Sequence, residues 1–193
     1  TSKLTDARSK AAVTTESEIC RMLVPLGIKG ARFSVRITAK DTPDSNGADR
    51  ICFMFSANSG VPMQELASVA SGGEMSRVML SIKTLTAGAT GLPTLIFDEI
   101  DTGVSGAVAE QMAVMMREMC ADGRQVIAIS HLPQIAAKSD VHYLVYKEEG
   151  EEDTHTHITE LNYEQRITEI ARMMSGATIT EAAMSNAREL MDN

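Results

Sequence analysis

The sequence predicts an α/β fold in which a mixed sheet is flanked by helices. Strand and helix patterns alternate in the middle of the 193-residue chain, and this alternation favours parallel strands there. Segments with period-two hydrophobicity lie on either side of this centre and are typical of antiparallel hairpins. The composition is 44% hydrophobic but only 4% aromatic, with 13 methionines, so the predicted core is aliphatic and methionine-rich, which suits packed helices.

The N-terminal stretch, residues 1–24, is predicted to be the end of a coiled-coil helix. Its apolar residues recur at three-, four- and seven-residue steps, and they become heavier towards the end of the stretch. Pro25 and Gly27 then end the helix. Residues 25–193 are expected to form the globular part. No apolar run approaches the ~18 residues that a membrane-spanning helix needs.

Two segments with alternating hydrophobicity follow this helix. They read ARFSVRITA and RICFMFSA, and the polar stretch between them contains Pro43 and the pair Asn46–Gly47. This combination predicts an antiparallel hairpin. From Glu74 to about Ala87, apolar residues at helical spacing predict a helix.

The centre of the chain contains two short apolar runs, TLIF (94–97) and QVIAIS (125–130), with a helical pattern over 107–120 between them. Continuous apolar runs of this length predict parallel strands that are buried on both faces. A further hairpin, HYLVY and HTHIT around an acidic turn, is predicted next. Two helices, over 163–174 and 179–191, complete the expected fold.

The charge distribution restricts how this chain would contact a nucleic acid. The net charge of −8 argues against a uniformly basic binding surface. Residues 1–40 are nevertheless basic, with eight lysines and arginines against three acidic residues: Lys3, Arg8, Lys10, Arg21, Lys29, Arg32, Arg36 and Lys40 against Asp6, Glu16 and Glu18. Direct contact with a polyanion would lie in this fifth of the chain. A solvated helix face and strand edge explain the same charges.

Three cysteines are scattered along the chain without a CxxC pair or metal-ligand spacing. This pattern indicates reduced thiols in a cytosolic protein. His155 and His157 alternate along one predicted strand. No third ligand is in view, so an exposed hairpin face is favoured over a metal site.

Two carboxylates come directly after the first central strand. Asp98 and Glu99 follow TLIF, and open α/β sheets bind ligands at the carboxyl ends of their strands. A carboxylate at that position can hold Mg²⁺, usually through water, and a second carboxylate can polarise an attacking water. Asp101 follows two residues later, and its alternative interpretation is the N-cap of the next helix.

His131 comes directly after the second central strand. Because parallel strands end at the same edge of a sheet, we expect it near Asp98 and Glu99. There the imidazole could donate a hydrogen bond to a phosphate or orient a water. A single histidine is more often structural, so this expectation depends on the neighbouring carboxylate pair.

The stretch VASGGEMSR, at residues 69–77, resembles an anion-binding loop. Two glycines allow backbone N–H groups to approach an anion, and the helix that follows provides the positive end of its dipole. A serine hydroxyl precedes the glycines. The sequence contains no G-x-x-x-x-G-K-[ST] segment, which is the phosphate-binding loop that normally accompanies such acids. The stretch is thus either an ordinary loop that enters a helix or one half of a nucleotide site whose other half lies elsewhere.

The order of these motifs resembles the C-terminal half of an ABC-type ATPase. SGGEMSR is similar to the signature motif, LIFDE to Walker B, IDTGVSG to the D-loop, and ISH to the segment of the switch histidine. Ala70 departs from the leucine usual in transporters. SMC-like heads divide this fold across a coiled coil. Among them the chain resembles the RecN family of bacterial DNA repair ATPases, through VASGGEMSRVMLSIK, TLIFDEIDTGVSG, VIAISHLPQIAAKSD and EIARMMSGATITEAAMSNAREL.

This resemblance covers the chain from about Leu23 onward. It implies the C-terminal lobe of an ABC-type head over residues 25–193, with ATP and Mg²⁺ as cofactors. Two heads would sandwich the nucleotides, so that the signature residues bind ATP held by the partner: Ser71, Gly72, Gly73 and Glu74.

In the chain's own half of the site, the resemblance implies that Asp98 positions Mg²⁺ through water and Glu99 acts as the general base. His131 would contact the γ-phosphate, and Asp101 would lie in the D-loop at the dimer interface. The implied partners are the N-terminal Walker A half, a second copy and DNA, without a membrane, in the cytoplasm at the nucleoid. Two other functions stay open: a different SMC-like or ABC-fold head, and a non-catalytic module that binds DNA or a protein through the basic N-terminal fifth.

Overall fold

A computed structural model describes residues 2–69, 72–121, 123–150, 153–176 and 178–192. The elements are α1 (Ser2–Leu23), β1 (Arg32–Asp44), β2 (Gly47–Ser56), β3 (Gln64–Glu65), α2 (Gly72–Thr90), β4 (Thr94–Asp98), α3 (Gly106–Glu118), β5 (Gln125–Ile129), α4 (Pro133–Ala137), β6 (Tyr143–Glu149), β7 (Thr154–Glu160), α5 (Tyr163–Ser175) and α6 (Glu181–Asp192). Each long helix and both hairpins lie where the sequence predicts them. The α/β class is therefore confirmed.

The first hairpin has a much shorter turn than the sequence suggests. Asp44 pairs with Gly47, so the connection between β1 and β2 is only two residues long. The Oδ1 atom of Asp44 accepts a hydrogen bond from the Asn46 N–H at 2.8 Å, and Gly47 adopts a positive φ of 95°. The side-chain bond and the glycine together make the tight reversal possible, and both strands extend into the predicted loop.

The helix α1 is fastened to this hairpin by a buried carboxylate. Asp49, on β2, is only 8% exposed and lies 2.8 Å from the Arg8 guanidinium. The Thr5 hydroxyl donates to the same carboxylate at 2.9 Å. These two donors lower the pKa of Asp49, because both stabilise the charged form. Helix α1 is thereby fixed against the first hairpin.

The strands are divided among three sheets rather than joined in one mixed sheet. The sheets are β1–β2–β3, the parallel pair β4–β5, and the hairpin β6–β7. The prediction that the central strands are buried on both faces is wrong for the described residues. Leu95 and Phe97 are buried, but their neighbour Ile96 is 62% exposed, and Ile127 and Ile129 on β5 are 41% and 54% exposed. Within the described ranges, no element covers this second face.

Two hydrophobic clusters hold the helices. The larger packs α1, α2 and α3 against the first hairpin and β4, and it contains four buried methionines of the α3 region: Met112, Met115, Met116 and Met119. The predicted methionine-rich core is thus confirmed. The smaller cluster joins α4, α5 and α6 through Ile167, Ile170, Ala171, Ala183 and Ala187. Helix α4 was not predicted, because a helix of five residues is too short to show a periodic hydrophobic pattern.

Helix α5 begins with a complete capping box. The Asn162 side chain accepts from the Gln165 N–H at 3.0 Å, and the Gln165 side chain accepts from the Asn162 N–H at 2.9 Å. Further along α5, Arg166 donates to the carbonyl oxygens of Ser139 and Asp140. Its charge also lies close to His142, just before β6. Burial lowers the pKa of His142, and the Arg166 charge lowers it further.

We expect His142 to make the stability of this chain pH-dependent. A histidine in the unfolded chain titrates near pH 6.5, so the unfolded state binds more protons once the pH falls below that value. The contribution of neutral His142 to the free energy of unfolding is fully present above the unfolded pKa, and it is lost as the pH falls through the lower folded pKa. Urea unfolding at about pH 7.5 and about pH 5.5 should show a smaller acid-induced loss in His142→Gln than in the wild type. His155 is exposed, so His155→Gln is the matched control. This variant should lose as much stability between the two pH values as the wild type. An equal loss in His142→Gln would show that another group carries the effect.

Candidate functional site

The parallel pair β4–β5 brings the predicted site residues to one edge. Asp98 is the last residue of β4 and lies opposite Ile129, the last residue of β5. Glu99 follows β4 directly, and His131 follows β5 after one intervening residue. All three side chains are exposed, His131 by 68%. The structure therefore places them together at an accessible sheet edge, as the sequence predicts.

The backbone at Glu99 is strained and held in place by hydrogen bonds. Glu99 has a φ of 47°, the one positive value among the described non-glycine residues. This left-handed conformation costs about 1–2 kcal/mol for an L-residue. The Glu99 N–H donates to the Ile129 carbonyl at 3.0 Å, and the Glu99 carbonyl accepts from the Thr102 hydroxyl at 2.9 Å. Strain maintained by its surroundings is typical of functional sites.

Asp101 lies in the interior, beneath this edge. Its side chain is 0% exposed, and its Oδ2 atom accepts a hydrogen bond from the Ser130 hydroxyl. The His131 Nδ1 atom lies 3.8 Å from the same oxygen. The alternative interpretation as an N-cap is wrong, because the N-cap of α3 is Ser105. Unlike Asp101, its neighbours Thr102 and Ser105 are exposed.

Gly72 and Gly73, called the glycine loop below, begin α2, and Gly73 lies against the turn that follows β4. Ser71 lies outside the described residues, and α2 begins at Gly72 with Glu74 in its first turn. A Cβ atom added to Gly73 would lie 3.2 Å from the Thr102 carbonyl oxygen, whereas one added to Gly72 would meet no described atom within 4 Å. A side chain at Gly73 would therefore press on the Thr102 carbonyl, whereas the space beside Gly72 holds no described atom.

Arg77 was not singled out from the sequence, although it connects the first turn of α2 to the segment that follows α1. Its Nε atom donates to the Gly73 carbonyl at 2.9 Å, and its Nη1 atom donates to the Leu26 carbonyl at 2.8 Å. Arg77 follows Gly73 by one helical turn, which was the available signal. The contact with Leu26 spans 51 positions and leaves no trace in the local pattern.

The other charged groups offer little for a separate site. Within the described ranges, no group of three His, Cys, Asp or Glu side chains could hold a metal ion. His157 pairs with Glu148 at 3.1 Å and stacks on Tyr146. Three of the eight N-terminal cations are occupied in ion pairs: Arg8 with Asp49, Arg21 with Glu18, and Lys40 with Asp44. No described helix has the length and hydropathy to cross a membrane.

The chain is similar in sequence to curated DNA repair proteins. No family model matches the chain. The DNA repair protein RecN of Halalkalibacterium halodurans is 40% identical over 193 residues, which is 98% of this chain and 34% of that protein. RecN of Haemophilus influenzae is 36% identical over 190 residues, with 98% and 34% covered. The chain therefore spans about a third of the length of the curated relatives it matches.

Solved structures agree on the fold. The Smc head domain with a coiled coil and joint from Pyrococcus yayanosii superposes with a TM-score of 0.64 at 16% identity, over 88% of this chain and 30% of that one. An SMC ATPase studied for its ATP-driven dimerization and DNA-stimulated activation superposes with a TM-score of 0.57 at 15% identity, over 90% and 99%. The chain thus has the fold of an SMC ATPase head, and by its sequence it is related to the RecN family of DNA repair proteins over nearly its whole length.

Proposed function

We propose that this chain is the C-terminal part of an SMC-like ATPase that acts in DNA double-strand break repair and recombination. The observation that carries the proposal is the sheet edge where Asp98, Glu99 and His131 meet next to a glycine loop at a helix N-terminus. The RecN relatives at 36–40% identity supply the biological setting. DNA would be the substrate of the whole protein, in the cytoplasm at the nucleoid.

The two carboxylates would divide the work at one ATP. Asp98, exposed at the end of β4, would hold Mg²⁺ through water, since hard cations prefer oxygen ligands and Mg²⁺ keeps several waters. The ion would neutralise charge on the phosphates. Glu99 would take the proton of the attacking water as general base. The positive φ at Glu99 ends the extended backbone directly after Asp98, so the two carboxylates do not simply alternate along one strand.

His131 would donate a hydrogen bond to the γ-phosphate from the adjacent strand. Catalysis would then consist of positioning and charge stabilisation. The glycine loop would act on a different ATP, the one held by the partner head. Ser71, Gly72, Gly73 and Glu74 would present backbone N–H groups, a hydroxyl and a helix N-terminus to that phosphate. The open space at Gly72 supports this arrangement.

The uncovered face of β4–β5 supports the proposal that another part of the full-length protein packs on it. Ile96 and Ile127 lie directly opposite each other, and both are exposed together with Ile129. Adjacent apolar side chains on a strand face mark an interaction site. The relatives are about three times longer than this chain, and we propose that their N-terminal Walker A half covers this face. ATP binding would close two such heads, and hydrolysis would open them.

The other functions are less well supported. A non-catalytic DNA-binding module would use the basic N-terminal fifth, but ion pairs already occupy Arg8, Arg21 and Lys40. A different SMC-like or ABC-fold head would share the fold, whereas sequence identity of 36–40% over almost the whole chain favours RecN.

We expect Glu99→Gln in the full-length protein to abolish turnover while ATP binding persists. Loss of a general base typically costs at least about a hundredfold in rate, so ATP-bound dimers should accumulate. Steady-state ATPase assays and size-exclusion chromatography with ATP would measure both effects. Glu164→Gln, an exposed carboxylate on α5, is the matched control and should leave both unchanged. Near-normal hydrolysis in Glu99→Gln would remove Glu99 as the base.

Substitutions at Gly72 and Gly73 should have different effects on stability and on ATP-dependent dimerisation. Gly73→Ala crowds the Thr102 carbonyl and should lower the free energy of unfolding by about 1–3 kcal/mol. Gly72→Ala meets no described atom and should change that energy by no more than about 1 kcal/mol. Because its methyl group would occupy the proposed phosphate space, Gly72→Ala should nevertheless lose ATP-dependent dimerisation. Thermal unfolding and ATP-dependent dimerisation of the full-length variants would test this, and normal dimerisation of Gly72→Ala would contradict the proposed loop contact.

The 193-residue chain alone should not hydrolyse ATP, because it lacks a Walker A loop. Addition of the N-terminal remainder of the full-length protein should restore turnover, and DNA should be included in a parallel reaction. Robust ATPase activity of the purified chain that persists in its Glu99→Gln variant would indicate a contaminant. Activity that disappears in that variant would overturn the divided-site proposal.

A further inference from the structure

Asp101 is an unusual place for a carboxylate. It is completely buried, and Ser130 is its one described hydrogen-bond donor. Its Oδ1 atom has no hydrogen-bond partner among the described residues. Burial of a charge is costly unless good partners compensate, and an apolar side chain would often serve stability as well or better. Asp49 shows the contrast, since Arg8 and Thr5 both bond its carboxylate. Stability alone therefore gives a poor account of Asp101.

The single donor of Asp101 lies immediately before His131. The Ser130 hydroxyl oxygen accepts a hydrogen bond from the Leu132 N–H at 3.0 Å. The hydroxyl has one hydrogen, and it donates that hydrogen to Oδ2 of Asp101. Ser130, before His131, thus bonds the buried carboxylate directly, and Leu132, after it, is linked to that carboxylate through the Ser130 hydroxyl. This network fixes the backbone that carries the imidazole.

The imidazole itself is exposed but lies beside the carboxylate on one side. His131 Nδ1 is 3.8 Å from Asp101 Oδ2, slightly beyond hydrogen-bond distance. A ring movement of less than about 1 Å would let Nδ1–H donate to this carboxylate. A partner for one ring nitrogen fixes the orientation of the other. Nε2, on the opposite side of the ring, would then be the nitrogen that meets a ligand.

We propose that Asp101 is the positioning residue for His131. It acts inside its own head by fixing the strand end and the imidazole, so that Nε2 faces the γ-phosphate. This inference rests on the proposed function, because it requires His131 to contact the nucleotide. It assigns Asp101 a role within one head in place of a direct contact between heads.

A double-mutant cycle in the full-length protein tests this role. Asp101→Asn should lower kcat for ATP hydrolysis by about 10- to 100-fold, as expected when the residue that orients a functional side chain is lost. The KM for ATP should change by less than about twofold. His131→Asn should lower kcat at least as much. The double variant should be no slower than His131→Asn alone, since residues that act through one another are non-additive. Ser130→Ala should also lower kcat, and its effect should also be non-additive with that of His131→Asn. It replaces Asp101→Asn in the cycle if that variant does not fold.

Asp49→Asn provides the matched control for a buried carboxylate. It should lower the melting temperature without changing kcat, alone or combined with His131→Asn. Additive effects of Asp101→Asn and His131→Asn would overturn the proposal, as would wild-type kcat in Asp101→Asn or in His131→Asn. Glu99→Gln distinguishes failure of the positioning role from failure of the proposed function. If Glu99→Gln is inactive while Asp101→Asn is fully active, only the positioning role is contradicted. If Glu99→Gln hydrolyses ATP normally, the proposed function is contradicted as well.

Discussion

The parallel pairing of β4 with β5 sets the register in which Asp98 lies opposite Ile129, and the proposed site takes its positions from that register. Because both strands end at the same edge, the carboxylates after β4 and the histidine after β5 meet without a long connecting loop. The hydrogen bond from the Glu99 N–H to Ile129 extends the pairing one residue beyond the strand. A register shift of one residue would turn Asp98 towards the opposite face, and the edge would lose its first carboxylate.

The turn after β4 connects this edge to the other parts of the head. Thr102 bonds to the Glu99 carbonyl on one side and packs against Gly73 on the other. Arg77 then holds the Gly73 carbonyl and the Leu26 carbonyl together, so the first turn of α2 and the end of α1 are joined by one guanidinium. The strand edge, the first turn of α2 and the segment after α1 are therefore neighbours in one contact network, although they are far apart in sequence.

Local patterns predicted the elements and the edge, because both depend on hydrophobic period and on which residues follow an apolar run. TLIF followed by Asp98 and Glu99 is enough to place two acids at a strand end. The same patterns could not predict that Asp101 is buried or that Arg77 reaches Leu26, because tertiary contacts decide both. They also predicted strands covered on both faces, whereas Ile96 and Ile127 are exposed, because an apolar run does not determine which elements pack on each face of a strand.

The two features that break local rules lie within three residues of each other. Glu99 is the one described non-glycine residue with positive φ, and Asp101 is a fully buried carboxylate with an unbonded oxygen. The backbone of the same turn bonds both, through Thr102 to Glu99 and Val104 to Asp101. Sequences usually satisfy local preferences, and exceptions concentrate at functional sites. Both costs are explained if this turn arranges groups from two strands around one phosphate, with the exposed Glu99 acting on the attacking water and the buried Asp101 fixing the backbone that carries His131.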